Sequence, residues 1–125
     1  MAKILVLDDD RSTRTVLGLT LSGAGHEVVL FESGKLAVAS IDEGAIFDLV
    51  VTDILMPEMD GIEVIKRLRA HGSPPLILAV SGATVSAGVD VLKAALNLGA
   101  EGALRKPFSN EVFLATVAEI LGRRG

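Results

Sequence analysis

Five short apolar runs alternate with five segments of helical periodicity, and this alternation limits the possible folds more than any other feature. The runs lie at residues 4–7, 26–31, 49–53, 76–80 and 102–105. Each is short and bounded by turn residues, and the third opens on Leu49, Val50 and Val51. Such runs read as buried strands of a parallel sheet. Between them, apolar residues recur at helical spacing. The first helix runs from about residue 11 to Ser22-Gly23-Ala24-Gly25, with Val16, Leu17, Thr20, Leu21 and Ala24 in register. The second starts at Ser33-Gly34, turns Leu36, Ala37, Ser40 and Ile41 inward, and closes at Gly44. The third spans 61–71 behind an Asp60 N-cap, with Ile62, Ile65 and Leu68 inward. The fourth is expected over about 85–98, ended by Gly99-Ala100, and the fifth runs from a Ser109 cap to about 121.

Strict βα alternation implies a parallel five-stranded sheet with helices on both faces and right-handed crossovers. The expected fold is α/β, a doubly wound (βα)5 domain over residues 1–125 with strand order 2-1-3-4-5. Ligands of open α/β sheets bind beyond the carboxyl ends of the strands, where the winding reverses. In this order that point lies between the first and third strands.

Composition removes several function classes. The chain has 125 residues, half of them hydrophobic and only four aromatic, so its core is built from Ala, Val, Leu and Ile. Net charge is −4 without a basic block, which argues against nucleic acid as the domain's main partner. There is no cysteine, hence no disulfide framework and no thiolate nucleophile. No apolar run reaches membrane-spanning length. A strand starts within a few residues of Met1, leaving no room for a signal peptide, and the expected location is cytoplasmic.

The polar residues that end the apolar strands are the candidate chemistry. The first strand delivers Asp8 and Asp9, the third Asp53, the fourth Ser81 and the fifth Lys106. Clustered carboxylates repel one another, which raises their proton affinity unless a cation joins them. An all-oxygen set without His or Cys suits a hard cation such as Mg²⁺. Metal, ammonium and hydroxyl around one carboxylate suit phosphoryl transfer, in which positioning and charge neutralisation carry most of the catalysis. Asp53 then serves as the nucleophile and becomes an acyl phosphate. Asp10 reads instead as the cap of the first helix.

The acidic pair after the first strand, the Asp53-Ile-Leu-Met-Pro-Glu-Met-Asp60-Gly61 run, the Ser81-Gly82 pair and Lys106-Pro107-Phe108 resemble, in order and spacing, the receiver domain of two-component response regulators. The resemblance covers the whole chain. The strand order is one known from a chemotaxis regulator of this family and from flavodoxin, so it belongs with the resemblance. The resemblance implies that Asp53 accepts a phosphoryl group from a phosphohistidine on a sensor kinase or phosphotransfer protein. It implies Mg²⁺ on Asp9, Asp53 and the backbone carbonyl of Leu55, with Asp8 acting through metal-bound water. Ser81 and Lys106 would meet the phosphoryl oxygens, and the Lys106–Pro107 bond would be cis. The chain would then be a phosphorylated signalling switch without sustained turnover. Its readout or dimer face would be helix 4, strand 5 and helix 5, where both helices have more apolar residues than one buried stripe needs.

Two departures qualify that picture. Ala103 stands where the family often has a Tyr or Phe that swings between two states, and a methyl group cannot do so. That substitution favours the alternative, a phosphorylation-independent interaction module. Leu55 and Ala83, expected beside Asp53, hold no group that could orient an attacking water, so slow self-hydrolysis is expected. Leu55 also argues against a haloacid-dehalogenase-type phosphatase, which needs a second Asp at that place. The glycines around Ala24 follow a helix and precede a strand, the reverse of a dinucleotide fingerprint, and read as a helix end. His26 and His71 read as surface residues on the face opposite the acidic rim, and Met56 and Met59 as packing.

Overall fold

The central strand of the sheet is β3 (Leu49–Asp53), flanked by β1 (Lys3–Leu7) and β4 (Leu76–Ser81), with β2 (Glu27–Phe31) beyond β1 and β7 (Gly102–Arg105) beyond β4. The structure is a computed structural model that describes residues 1–82, 85–86 and 89–123. All pairings in this sheet are parallel, in the order β2-β1-β3-β4-β7, which in sheet strands is the expected 2-1-3-4-5. β3 is buried along its whole length, as expected of a strand covered on both faces.

Alternate residues of each strand feed two cores. Leu5, Leu7, Val50, Ile54 and Ile77 pack beneath α2 (Gly34–Asp42), α3 (Gly61–Arg69) and α4 (Val91–Asn97). Ile4, Val6, Leu49, Val51, Leu78 and Val80 pack beneath α1 (Arg11–Gly23) and α5 (Asn110–Gly122). Each helix starts on a polar cap: Asp10, Ser33, Asp60, Asp90 and Ser109 all accept a main-chain N–H from the first turn. Gly44 and Gly99 take φ of +108° and +109° just past α2 and α4, where a side chain would be strained.

Some helix phases differ from expectation. In α2 the inward residues are Ala37, Val38 and Ile41, while Leu36 is 53% exposed. In α3, Val64 is fully buried and Ile62 is half-buried. In α1, Leu17, Gly18 and Leu21 face the core and Val16 is 51% exposed. The reason in each case is that several apolar residues are consecutive, and periodicity alone does not choose among neighbouring phases. The expected helix from residue 85 is also corrected. β5 (Val85–Ser86) pairs antiparallel with β6 (Val89–Asp90), and α4 starts only at Val91. Asp90 is a strong N-cap, with its side chain accepting from Lys93 N–H at 3.2 Å, and this fixes the helix start at Val91.

The apolar surplus of the last two helices is mostly core. Phe113, Val117, Ile120, Val91, Leu92 and Ala95 are buried, leaving Val112 and Leu96 about half exposed. Met56 and Met59 pack against the α2–α3 side of the core, as expected. His26 and His71 are half-buried, and each accepts a main-chain N–H, from Ala2 and Ser73. Among the described residues no helix is long and apolar enough to cross a membrane.

Candidate functional site

The ends of β1, β3, β4 and β7 bring Asp8, Asp53, Ser81 and Lys106 to one rim. Asp53 is the last residue of β3 and is 8% exposed. Its Oδ1 accepts from Ile54 N–H at 2.8 Å, and its Oδ2 lies 3.4 Å from Lys106 Nζ. Asp8 is fully buried one residue beyond β1, and its Oδ2 takes the same ammonium at 3.0 Å. Lys106 follows β7 directly; its own N–H donates to the Ser81 carbonyl at 2.9 Å, and the Lys106–Pro107 bond is cis. Ser81 ends β4 and is buried. Phe108, just beyond, stacks on the buried Phe113 with ring centroids 5.6 Å apart, which anchors the loop that holds Lys106.

Asp9 is exposed beside this buried pair. Carboxylate oxygens of Asp8, Asp9 and Asp53 lie within 4.8 Å of one another. Burial raises the Asp53 carboxyl above its ordinary pKa, and the charge of Asp8 adds to the effect against the opposing pull of Lys106. The repulsion expected from the sequence is therefore present at Asp53, though burial is the larger cause. Burial pulls the Lys106 ammonium down, but its hydrogen bond to Asp8 and the charges of Asp53 and Asp8 outweigh that, and its pKa is raised. Three carboxylates facing one ammonium leave excess negative charge, and the donors are all oxygen. Both features fit a hard divalent cation.

The remaining expected residues are placed as follows. Leu55 lies in the loop two residues after Asp53, with its side chain 43% exposed. Ala103 lies in β7 opposite Ala79 and packs half-buried on the α2–α3–α4 side of the sheet. Ala83 lies outside the described residues. Asp10 caps α1, accepting from both Thr13 N–H and Thr13 Oγ1, and these bonds hold its carboxyl below the usual range.

Two residues of the site were missed by sequence reasoning. Gly61 was read as the opening of the third helix and as the end of the matching run after Asp53, not for what it touches. In the structure a Cβ there would stand 2.2 Å from the Asp53 carbonyl oxygen, so Gly61 lets α3 close against the end of β3. Arg14 was not among the residues singled out from the sequence. Its Nη1 donates to the Asp8 carbonyl at 2.8 Å. The available signal was its position: a cation near a helix N-terminus opposes the helix dipole.

A buried carboxylate at the switch point of a doubly wound sheet, joined by one lysine to a second carboxylate, defines the class. The chain belongs to the response regulator receiver domain family, whose sequence profile matches residues 4–118. Over 122 residues it is 38% identical to the response regulator MprA of Mycolicibacterium vanbaalenii, covering 97% of this chain and 51% of that protein. Over 115 residues it is 37% identical to the transcriptional regulatory protein FixJ of Bradyrhizobium diazoefficiens, covering 91% of this chain and 54% of that protein. The chain thus spans about half the length of the curated relatives it matches. Among solved structures it resembles the chemotaxis protein CheY4 of Vibrio cholerae, with a TM-score of 0.82 and 34% identity over 96% of this chain and 98% of that one. It also resembles full-length FixJ of B. japonicum, with a TM-score of 0.87 and 34% identity over 98% of this chain and 58% of that one.

Proposed function

We propose that this domain is a phosphorylation-driven switch in which Asp53 accepts a phosphoryl group from a phosphohistidine of a sensor kinase or phosphotransfer protein. An Asp53 carboxylate oxygen forms a bond to phosphorus while the bond from phosphorus to the imidazole nitrogen breaks. The electron pair leaves with the imidazole, and the product is an acyl phosphate. Asp8, Asp9, Asp53 and the Leu55 carbonyl would hold Mg²⁺, which supplies neutralisation of the charge shared by carboxylate and phosphoryl oxygens. Lys106 is already within reach of Asp53 and contributes a fixed positive charge. Ser81 contributes a hydroxyl from the adjacent strand end. The buried position of Asp53 limits water at the acyl phosphate. A shallow groove of about 350 Å³ beside Lys106, lined by Thr13, Val16, Leu17, Pro107 and Phe108, offers an apolar seat for the donor.

The observation that carries this reading is the single ammonium shared by two buried carboxylates from different strands. The domain acts in the cytoplasm and undergoes modification and reversal rather than substrate turnover. Its state is read through α4, β7 and α5, in a longer protein or by a separate partner. Ala103 favours a second reading, an interaction module that does not use phosphorylation. Intact mass after incubation with acetyl phosphate separates the two. One phosphoryl group is expected on the wild type with Mg²⁺, and none without Mg²⁺ or in Asp53→Asn. A protein that binds neither Mg²⁺ nor a beryllofluoride mimic would support the second reading.

A further inference from the structure

We infer that Arg14 is a positioning residue for the Asp8–Asp9 pair, acting through the main chain of Asp8 rather than through any carboxylate. The inference rests on the reading that this pair helps to hold a divalent cation.

The sheet register ends at this point. Leu7 is the last residue of β1 paired with either neighbour, opposite Phe31 and Thr52. The Asp8 N–H still reaches the Phe31 carbonyl at 3.3 Å, but the Asp8 carbonyl has left the ladder while its residue is fully buried. A buried carbonyl needs a donor. Arg14 supplies it from the first turn of α1, with Nη1 at 2.8 Å. The same residue's N–H donates to the Asp10 carbonyl at 3.0 Å, and Asp10 N–H donates to Asp8 Oδ1 at 2.9 Å. These three bonds close a ring around Asp9. The Asp9 side chain makes no hydrogen bond or ion pair with the described residues, so the surrounding main chain sets where its carboxylate stands. Arg14 itself forms no ion pair with a carboxylate among the described residues.

Charge and positioning give opposite signs. A cation beside a metal site repels the metal, so if Arg14 acted by charge alone, Arg14→Met would tighten Mg²⁺ binding. If it holds the pair in place, the same substitution weakens binding. Loss of groups that orient metal ligands typically costs 10–100-fold in affinity, and about ten-fold is expected here.

The test is calorimetric titration of the unphosphorylated protein with Mg²⁺, wild type against Arg14→Met, alongside amide hydrogen exchange by NMR in metal-free protein. The expected result is about ten-fold weaker Mg²⁺ binding, with faster exchange at the Asp8 and Asp10 amides and unchanged exchange in β4. Arg14→Gln, whose amide is too short to reach, serves if Arg14→Met does not fold. Unchanged or tighter Mg²⁺ binding would overturn the inference. Faster exchange throughout α1 would reduce Arg14 to a helix stabiliser and overturn it too. A wild type that binds no Mg²⁺ while the variant still loosens Asp8 and Asp10 would sink the metal reading and leave the main-chain pin standing.

Discussion

Replacing Gly61 by alanine sets two local effects against each other, and the structure decides the sign. Helix propensity favours the change: alanine exceeds glycine by about 1 kcal/mol within a helix, and by less in the first turn. Packing opposes it. The added Cβ would lie 2.2 Å from the Asp53 carbonyl oxygen and 2.7 Å from Ile54 Cα, where ordinary contact begins near 3.4 Å. Both atoms are main chain of buried residues, so no side chain can swing aside; α3 or the end of β3 must move by roughly 1 Å. Such overpacking costs about 1–3 kcal/mol. The shift also strains the bond from Gly61 N–H to the Ile54 carbonyl, 2.7 Å long, which is worth about 1 kcal/mol. The net expectation is a loss of about 1–3 kcal/mol, or roughly 3–5 °C in Tm for each kcal/mol in a chain of this size. With no tryptophan, urea unfolding is followed by far-UV circular dichroism. Gly72→Ala is the control: nothing lies within 4 Å of its Cβ, and its φ is outside the left-handed range, so its effect stays below about 1 kcal/mol. Because the wall that moves is the backbone of Asp53, Gly61→Ala also slows phosphorylation by acetyl phosphate. A midpoint equal to wild type or higher, at unchanged m, would refute the close-approach argument.

Two further outcomes follow from burial. Asp53 has a folded pKa raised by burial and by Asp8, so its ionised form disfavours the metal-free fold. That cost is absent below the unfolded value near 3.8 and grows as pH rises through the folded one, so Asp53→Asn gains on wild type from about pH 4 towards neutrality. The gain shrinks when Mg²⁺ is added; a difference in urea midpoint that does not change with pH would contradict this account. Phe113→Ala empties a fully buried site and removes the stack on Phe108, for a loss of about 3–5 kcal/mol in urea unfolding. A loss under about 2 kcal/mol would mean that α1 and α5 collapse into the space.

The alternation of runs and periodic segments determined the sheet, because a parallel strand covered on both faces needs a continuous apolar run and each crossover needs a helix. The residues ending those runs were legible for a related reason: Asp8, Asp53, Ser81 and Lys106 are polar where an apolar stretch stops, so their convergence follows from topology. Caps such as Asp60 and Ser109 are local chemistry and were equally readable. What tertiary structure alone decided depends on distances between segments far apart in the chain. Helix phase was settled by which residue met the sheet, placing Val38 inside and Leu36 outside. The start of α4 depended on the pairing of β5 with β6, which periodicity does not encode. Gly61 was legible as the opening of α3, but not as the contact that lets α3 close on Asp53. Arg14 was legible as a charge, but not as the donor to a carbonyl six residues earlier. Sequence spacing lists the groups a chain can bring to its rim; only the packed backbone determines which carbonyl is left without a strand partner and which side chain reaches it.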